Sequence, residues 1–211
     1  MHGSMGSLSQ CLPLAAALHS TCGFGVVAFD GFGCGRSPKP NDWEAYAFDR
    51  LGRDLDAVWA WLQGRPWRLP GAGAGAGAVV PGPVVVVAHS YGTHLAMGLA
   101  LRLHEAAASH LSASARPLSR PRGLVLLAGC LTTADGGHPI FRLPTLALNL
   151  LQPTLTRAFL ASAFEPAEQP TAATFDHAGL LAAQRAAADA NPMHVCRAYY
   201  RQVGPSGIPA A

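Results

Sequence analysis

Pro83-Val84-Val85-Val86-Val87-Ala88-His89-Ser90-Tyr91-Gly92 is the stretch on which the fold turns. Four consecutive valines show no alternation of apolar and polar positions. The strand they form is therefore predicted to be covered on both faces, as a central strand of a parallel sheet is. From Gly92 to Glu105 the chain stays apolar around most of a helical circumference, which predicts a deeply packed helix leaving the strand at once. A strand that passes into a helix through a single serine must turn sharply, and the residues two before and two after the serine must be small. Ala88 and Gly92 meet that condition. Ser90 then stands at the tip with its hydroxyl exposed, and the helix N-terminus beside it favours developing negative charge. A plain serine N-cap is the other reading of such a position. The valine run and the packed helix that flank it favour the nucleophile.

Outward from this centre, strand and helix alternate. Leu8 to Ser20 reads as a helix ending near Gly23. Phe24 to Phe29 (FGVVAF) is a short apolar, β-branched run bounded by glycines and is predicted to be a buried strand. Asp30 to Pro40 is a glycine- and proline-rich loop. In the next helix Phe48, Leu51, Leu55, Val58 and Leu62 fall on one face. Residues 64–82 contain GAGAGAGA between prolines, a low-complexity surface insertion whose repeat has no side chain able to do chemistry. Gly123 to Ala128 (GLVLLA) is predicted to be another buried strand, followed by helices at Leu146–Phe164, Asp176–Ala190 and Met193–Gln202. The expected class is α/β, a mostly parallel sheet covered by helices on both sides.

The 211 residues suit one domain of ordinary size. Half are apolar, 13% are charged, and the formal net charge is +3. The basic residues are scattered and not interleaved with aromatics, so no nucleic-acid footprint is present. Cys11, Cys22, Cys34, Cys130 and Cys196 are odd in number and form no CxxC, which argues against a disulfide framework or a zinc cage. Neither a signal peptide nor a membrane-spanning helix is legible. Ile140 to Phe164 is broken by Arg142, Pro144, Asn149, Pro153 and Arg157. An intracellular protein, cytoplasmic or organellar, is the expectation. The apolar helices after residue 136 suit covering a site or touching a lipid surface.

His2-Gly3-Ser4-Met5-Gly6 precedes the Ser90 segment, and Asp30-Gly31-Phe32-Gly33-Cys34-Gly35-Arg36-Ser37 lies between the two. With Ala88-His89-Ser90-Tyr91-Gly92 these form three ordered motifs that resemble the α/β-hydrolase fold superfamily. The resemblance implies that the backbone N–H groups of Ser4 and Tyr91 form the oxyanion hole and that the Asp30 loop, with Gly33 and Gly35, shapes the site mouth. It implies a hydrolase core over residues 1–135 and a helical cap over 136–211. The stretch PTLALNLLQPTLTRAFLASAF resembles the cap of abhydrolase-domain proteins that act on lipids or acyl esters. On that footing the expected chemistry is hydrolysis or transfer of a carboxylic acyl group through a Ser90 acyl-enzyme. The substrate is then a small molecule or a lipid, and no metal or organic cofactor is called for.

Such a nucleophile needs a base and an acid that orients it. The resemblance implies the order serine, acid, histidine, with the histidine after a last strand. That segment is not recognised in residues 1–211. Asp135, after the Gly123–Ala128 strand, is the candidate acid. His89 is turned away by the elbow, and His94, His138, His177 and His194 read as helix or loop residues. The resemblance also places a strand before His2, between the FGVVAF and PVVVVA strands, and only Met1 stands there. The sheet is therefore expected to be incomplete at its first and last strands, and the chain to be an inactive fragment of a longer hydrolase. Two rivals follow: a non-catalytic binding relative without the base, and an epoxide or haloalkane hydrolase. The latter uses an aspartate where this chain has Ser90.

Overall fold

The computed structural model describes residues 1–4, 6–64, 82–108, 119–128, 139–163 and 177–202. Helix α1 (Leu12–Cys22) follows a 3-10 turn at Leu8–Cys11, and α2 spans Phe48–Gly64. Strand β1 (Val85–His89) leads into α3 (Tyr91–Ala108), and β2 (Gly123–Leu127) pairs with β1 in parallel, Val85 opposite Gly123 and His89 opposite Leu127. Helices α4 (Thr145–Ala163), α5 (His177–Asp189) and α6 (Met193–Gln202) complete the described elements. The low-complexity insertion lies almost wholly outside the described residues.

The core forms where α2, α3 and α6 converge on the end of β1. Leu51, Leu55 and Trp59 recur at four-residue spacing and present one buried face of α2. They meet Leu95, Leu99 and Leu103 of α3, and Val195, Ala198 and Tyr199 of α6 join the same cluster. Each large apolar side chain removed from water contributes about 1.5–3 kcal/mol. The α2–α3 contact is also clamped electrostatically: the Arg102 guanidinium donates to the Gly52 carbonyl at 3.1 Å and to both carboxylate oxygens of Asp56 at 2.7 and 3.0 Å. A second cluster, Leu148, Met193 and Cys196, ties α4 to α6.

Three expectations about the sheet are corrected. Phe24–Phe29 forms no strand, and Phe24, Val26 and Val27 are 55%, 41% and 40% exposed. β1 is not covered on both faces along its length: Val85 is 49% exposed, and burial is complete only at Ala88. In β2, Val125, Leu126 and Leu127 are all exposed rather than buried. The cause is shared. A strand is stable when its backbone N–H and C=O groups find partners on a neighbour. Among the described residues, the edge of β1 away from β2 is met by one residue, Met1. Its amine donates to the Val87 carbonyl at 2.6 Å and its carbonyl accepts from the His89 amide at 3.0 Å. Beyond Met1 lies a cleft of about 280 Å³ lined by Phe29, Leu51, Leu55, Val58 and Leu95, so Phe24–Phe29 reaches no ladder partner among the described residues.

Candidate active site

Ser90 joins β1 to α3 and adopts φ 51°, in the left-handed region that a non-glycine residue enters only at a cost. Its neighbours hold it there. The Ser90 amide donates to the Leu127 carbonyl at 2.9 Å, fixing it to the end of β2. Its carbonyl accepts from the Thr93 amide at 2.9 Å and from the Thr93 hydroxyl at 2.6 Å. Thr93 is fully buried. The sequence reading passed over it, although a serine followed three residues later by a hydrogen-bonding side chain was the available signal.

The small residues around Ser90 answer to contacts. Ala88 is 0% exposed. A side chain at Gly92 would begin 2.8 Å from the His2 carbonyl oxygen, so the first turn of α3 lies directly against the backbone of residues 1 and 2. Gly3 is equally constrained: its side chain would begin 3.0 Å from Ser90 Cβ and 3.3 Å from Ser90 Oγ. The Gly3–Ser4 backbone is thus brought against the candidate nucleophile, as an oxyanion segment requires. Among the described residues, neither the Ser4 nor the Tyr91 N–H donates a loop or cap hydrogen bond. Ser4 is buried, and so is Tyr91, whose hydroxyl is pushed well up by burial.

Several distant parts of the chain hold this segment in place. Asn191, wholly buried, donates from its side chain to the Gly6 carbonyl at 3.1 Å. A side-chain hydrogen bond joins Tyr200 to Ser4, and Gln10 donates to Gln184. The Cys34 thiol, pushed up to about 11 by burial, lies 3.5 Å from the Ser4 carbonyl. Asp30 accepts the Leu8 amide at 2.7 Å and the Arg36 amide at 2.9 Å, so one carboxylate ties the backbone just after Gly3–Gly6 to its own loop. Gly33 and Gly35, at φ 80° and 51°, allow that loop to close around it. Ser37 completes the turn by donating to the Asp30 carbonyl at 2.9 Å. The supports from α5 and α6 had no sequence signal, because nothing local relates residues 184–200 to residues 4–10.

The remaining candidates are dispersed. The His89 side chain borders Gly3, its Nδ1 lying 3.5 Å from where a Gly3 side chain would begin, and burial lowers its proton affinity. His94 packs beside Tyr91 with ring centres 6.3 Å apart. His194 meets Tyr46 edge-on at 6.4 Å. His177 begins α5. Asp135, His138 and Met5 lie outside the described residues. Among the described residues, no three His, Cys, Asp or Glu side chains are grouped to hold a metal ion.

A parallel strand running through a strained serine into a helix, with a glycine backbone against its tip, defines an α/β-hydrolase architecture. The profile of the alpha/beta hydrolase family matches residues 1–207, and the chain belongs to that family. No curated protein matches the sequence. A solved structure described among novel epoxide hydrolases of the alpha/beta hydrolases superfamily, from metagenomes of hot environments, is similar in fold. The identity is 19% and the TM-score 0.52, over 99% of this chain. The chain spans 63% of the length of that structure.

Proposed function

We propose that this chain carries the nucleophile and oxyanion half of a serine hydrolase site that acts on carboxylic esters of hydrophobic acyl groups. The observation that carries the reading is Ser90, held at φ 51° at the tip of β1 with Gly3 against its hydroxyl. In this reading Ser90 Oγ attacks the ester carbonyl and passes its proton to a base. The oxyanion is received by the N–H groups of Ser4 and Tyr91, and the alcohol leaves to give an acyl-enzyme that water then hydrolyses. Two such donors, already fixed in place, are worth about 3 kcal/mol each to the transition state. A hydroxyl at the tip supports this chemistry over epoxide opening, which the family performs from a carboxylate at that position.

The base and acid in this reading come from outside the described residues, Asp135 being the acid candidate. Among the described histidines, His94 packs beside Tyr91 and His194 beside Tyr46. A hydrophobic substrate is supported by the region proposed as the cap, residues 136–211. There Leu146 and Leu150, one turn apart on α4, are 74% and 77% exposed. Residues 139–163 carry Arg142 and Arg157 and no acidic residue, which suits contact with an anionic lipid surface. No helix among the described residues is long and apolar enough to cross a membrane.

A fluorophosphonate probe tests the proposal. The protein is expected to label at Ser90, and the S90A protein is expected not to label. Absence of labelling would overturn the serine mechanism and leave a binding protein on a hydrolase fold.

A further inference from the structure

His2 is 8% exposed, and both of its ring nitrogens are used. The Gly31 amide lies 2.9 Å from Nε2, and Nδ1 lies 2.8 Å from the Gly3 carbonyl. A backbone N–H can only donate, so Nε2 is the acceptor and carries no proton. Nδ1 must then carry the proton, and it donates to Gly3. One neutral tautomer satisfies both contacts. The ring stands between the Gly3–Gly6 segment and the Asp30 loop, with the position of a Gly31 side chain 3.6 Å from its edge. A second proton would place two donors face to face at Nε2 and break the contact with Gly31.

We propose that His2 is a positioning residue that latches the oxyanion segment to the Asp30 loop through its Nδ1-protonated neutral form, and that acid opens this latch. The inference rests on the reading of Gly3–Gly6 as the oxyanion segment. The charged and titratable groups around the ring are the Met1 amine, the Asp30 carboxylate, the His89 ring and, beside Gly31, the Tyr199 hydroxyl. The Met1 amine and His89 disfavour a second positive charge, and Asp30 favours it. Burial is the largest influence and holds His2 below its ordinary 6.5. The Leu8–Asp30 bond is independent of the ring, so acid should free Gly31 from His2 while the loop stays tethered through Asp30.

Long-range nitrogen–proton correlation spectra of the isotopically labelled protein, taken from above pH 7 down to about pH 5, read the tautomer directly. The expected spectrum shows Nδ1 protonated and Nε2 unprotonated at the upper end. As the ring titrates, the protection of the Gly31 amide, measured against its intrinsic exchange rate at each pH, should fall about tenfold, the change expected when one buried hydrogen bond is lost. His2→Gln, which keeps an acceptor but cannot titrate, should remove the pH dependence. A proton on Nε2 at neutral pH, or titration of His2 without a change at Gly31, would overturn the proposal. If the His2→Gln protein fails to fold, the spectra of the unsubstituted protein still decide. None of these readouts needs substrate. A failed latch with Ser90 still labelling removes this inference alone, whereas an intact latch with no labelling removes the hydrolase reading.

Discussion

Val85–His89 and Phe24–Phe29 are similar in sequence and different in outcome. Both are short, apolar, valine-bearing runs, and both lead into a motif of the candidate site: the first into Ser90, the second into Asp30. The first is a strand bonded to β2 along its whole length and to Met1 on its other edge. The second forms no strand, with its valines about 40% exposed and only Phe29 packed on the core. Strand propensity is a preference for fitting a pleated, half-covered surface, and without a neighbour to supply that surface it produces no ladder. The Asp30 loop is instead held by hydrogen bonds to Leu8, Arg36 and His2 rather than to a sheet.

Substitutions can break this contrast. The largest effect is expected from Ala88→Asp in β1, which buries a carboxylate with no partner and should cost about 4 kcal/mol or more. Val26→Asp, on the exposed run, should stay within about 0.5 kcal/mol. Urea unfolding followed by the fluorescence of buried Trp59 measures both. Equal losses would mean that Phe24–Phe29 is paired in solution. The glycines sharpen the same comparison. Gly92→Ala should destabilise by about 2–3 kcal/mol, because the new methyl meets the His2 carbonyl rather than a movable side chain. Gly25→Ala meets nothing within 4 Å and should be stabilising by about 0.5 kcal/mol through the unfolded chain.

Ser90→Gly tests the strain at the elbow. Removing a side chain from the left-handed region should raise stability by about 1 kcal/mol in the same unfolding experiment. A loss of stability instead would mean that the serine side chain holds the turn. The smallest effect concerns pH. His2 and His89 are both held below 6.5 by burial, so the unfolded chain binds more protons as the pH falls through that value. Their contribution is fully present above the ordinary histidine value and declines below it. A midpoint for urea unfolding that falls between pH 7 and pH 5 is the expected result, and His2→Gln should flatten part of that slope.

Much of the Ser90 turn was legible because it is local. The valine run, the small residues at 88 and 92 and the apolar helix after them belong to one tight turn and can be read from neighbouring residues, whereas its contacts with His2, Gly3 and Leu127 cannot. The helices were legible for the same reason: the spacing of Leu51, Leu55 and Trp59 is a property of a single helix, although Trp59 was overlooked beside Val58 and Leu62. The sheet was not legible. Runs such as GLVLLA and FGVVAF carry the composition of buried strands, but their exposure depends on what lies beside them.

The amino-acid sequence by itself determined where the chain turns, which serine stands at the turn, and which segments are helical, since these depend on residues a few positions apart. Only the tertiary structure decided that α6 enters the main core, that Asn191 and Tyr200 brace Gly6 and Ser4, that His2 bonds through both ring nitrogens, and that one apolar run pairs while its twin does not. Those outcomes join residues far apart along the chain, and no local pattern of side chains specifies which backbone groups will find each other.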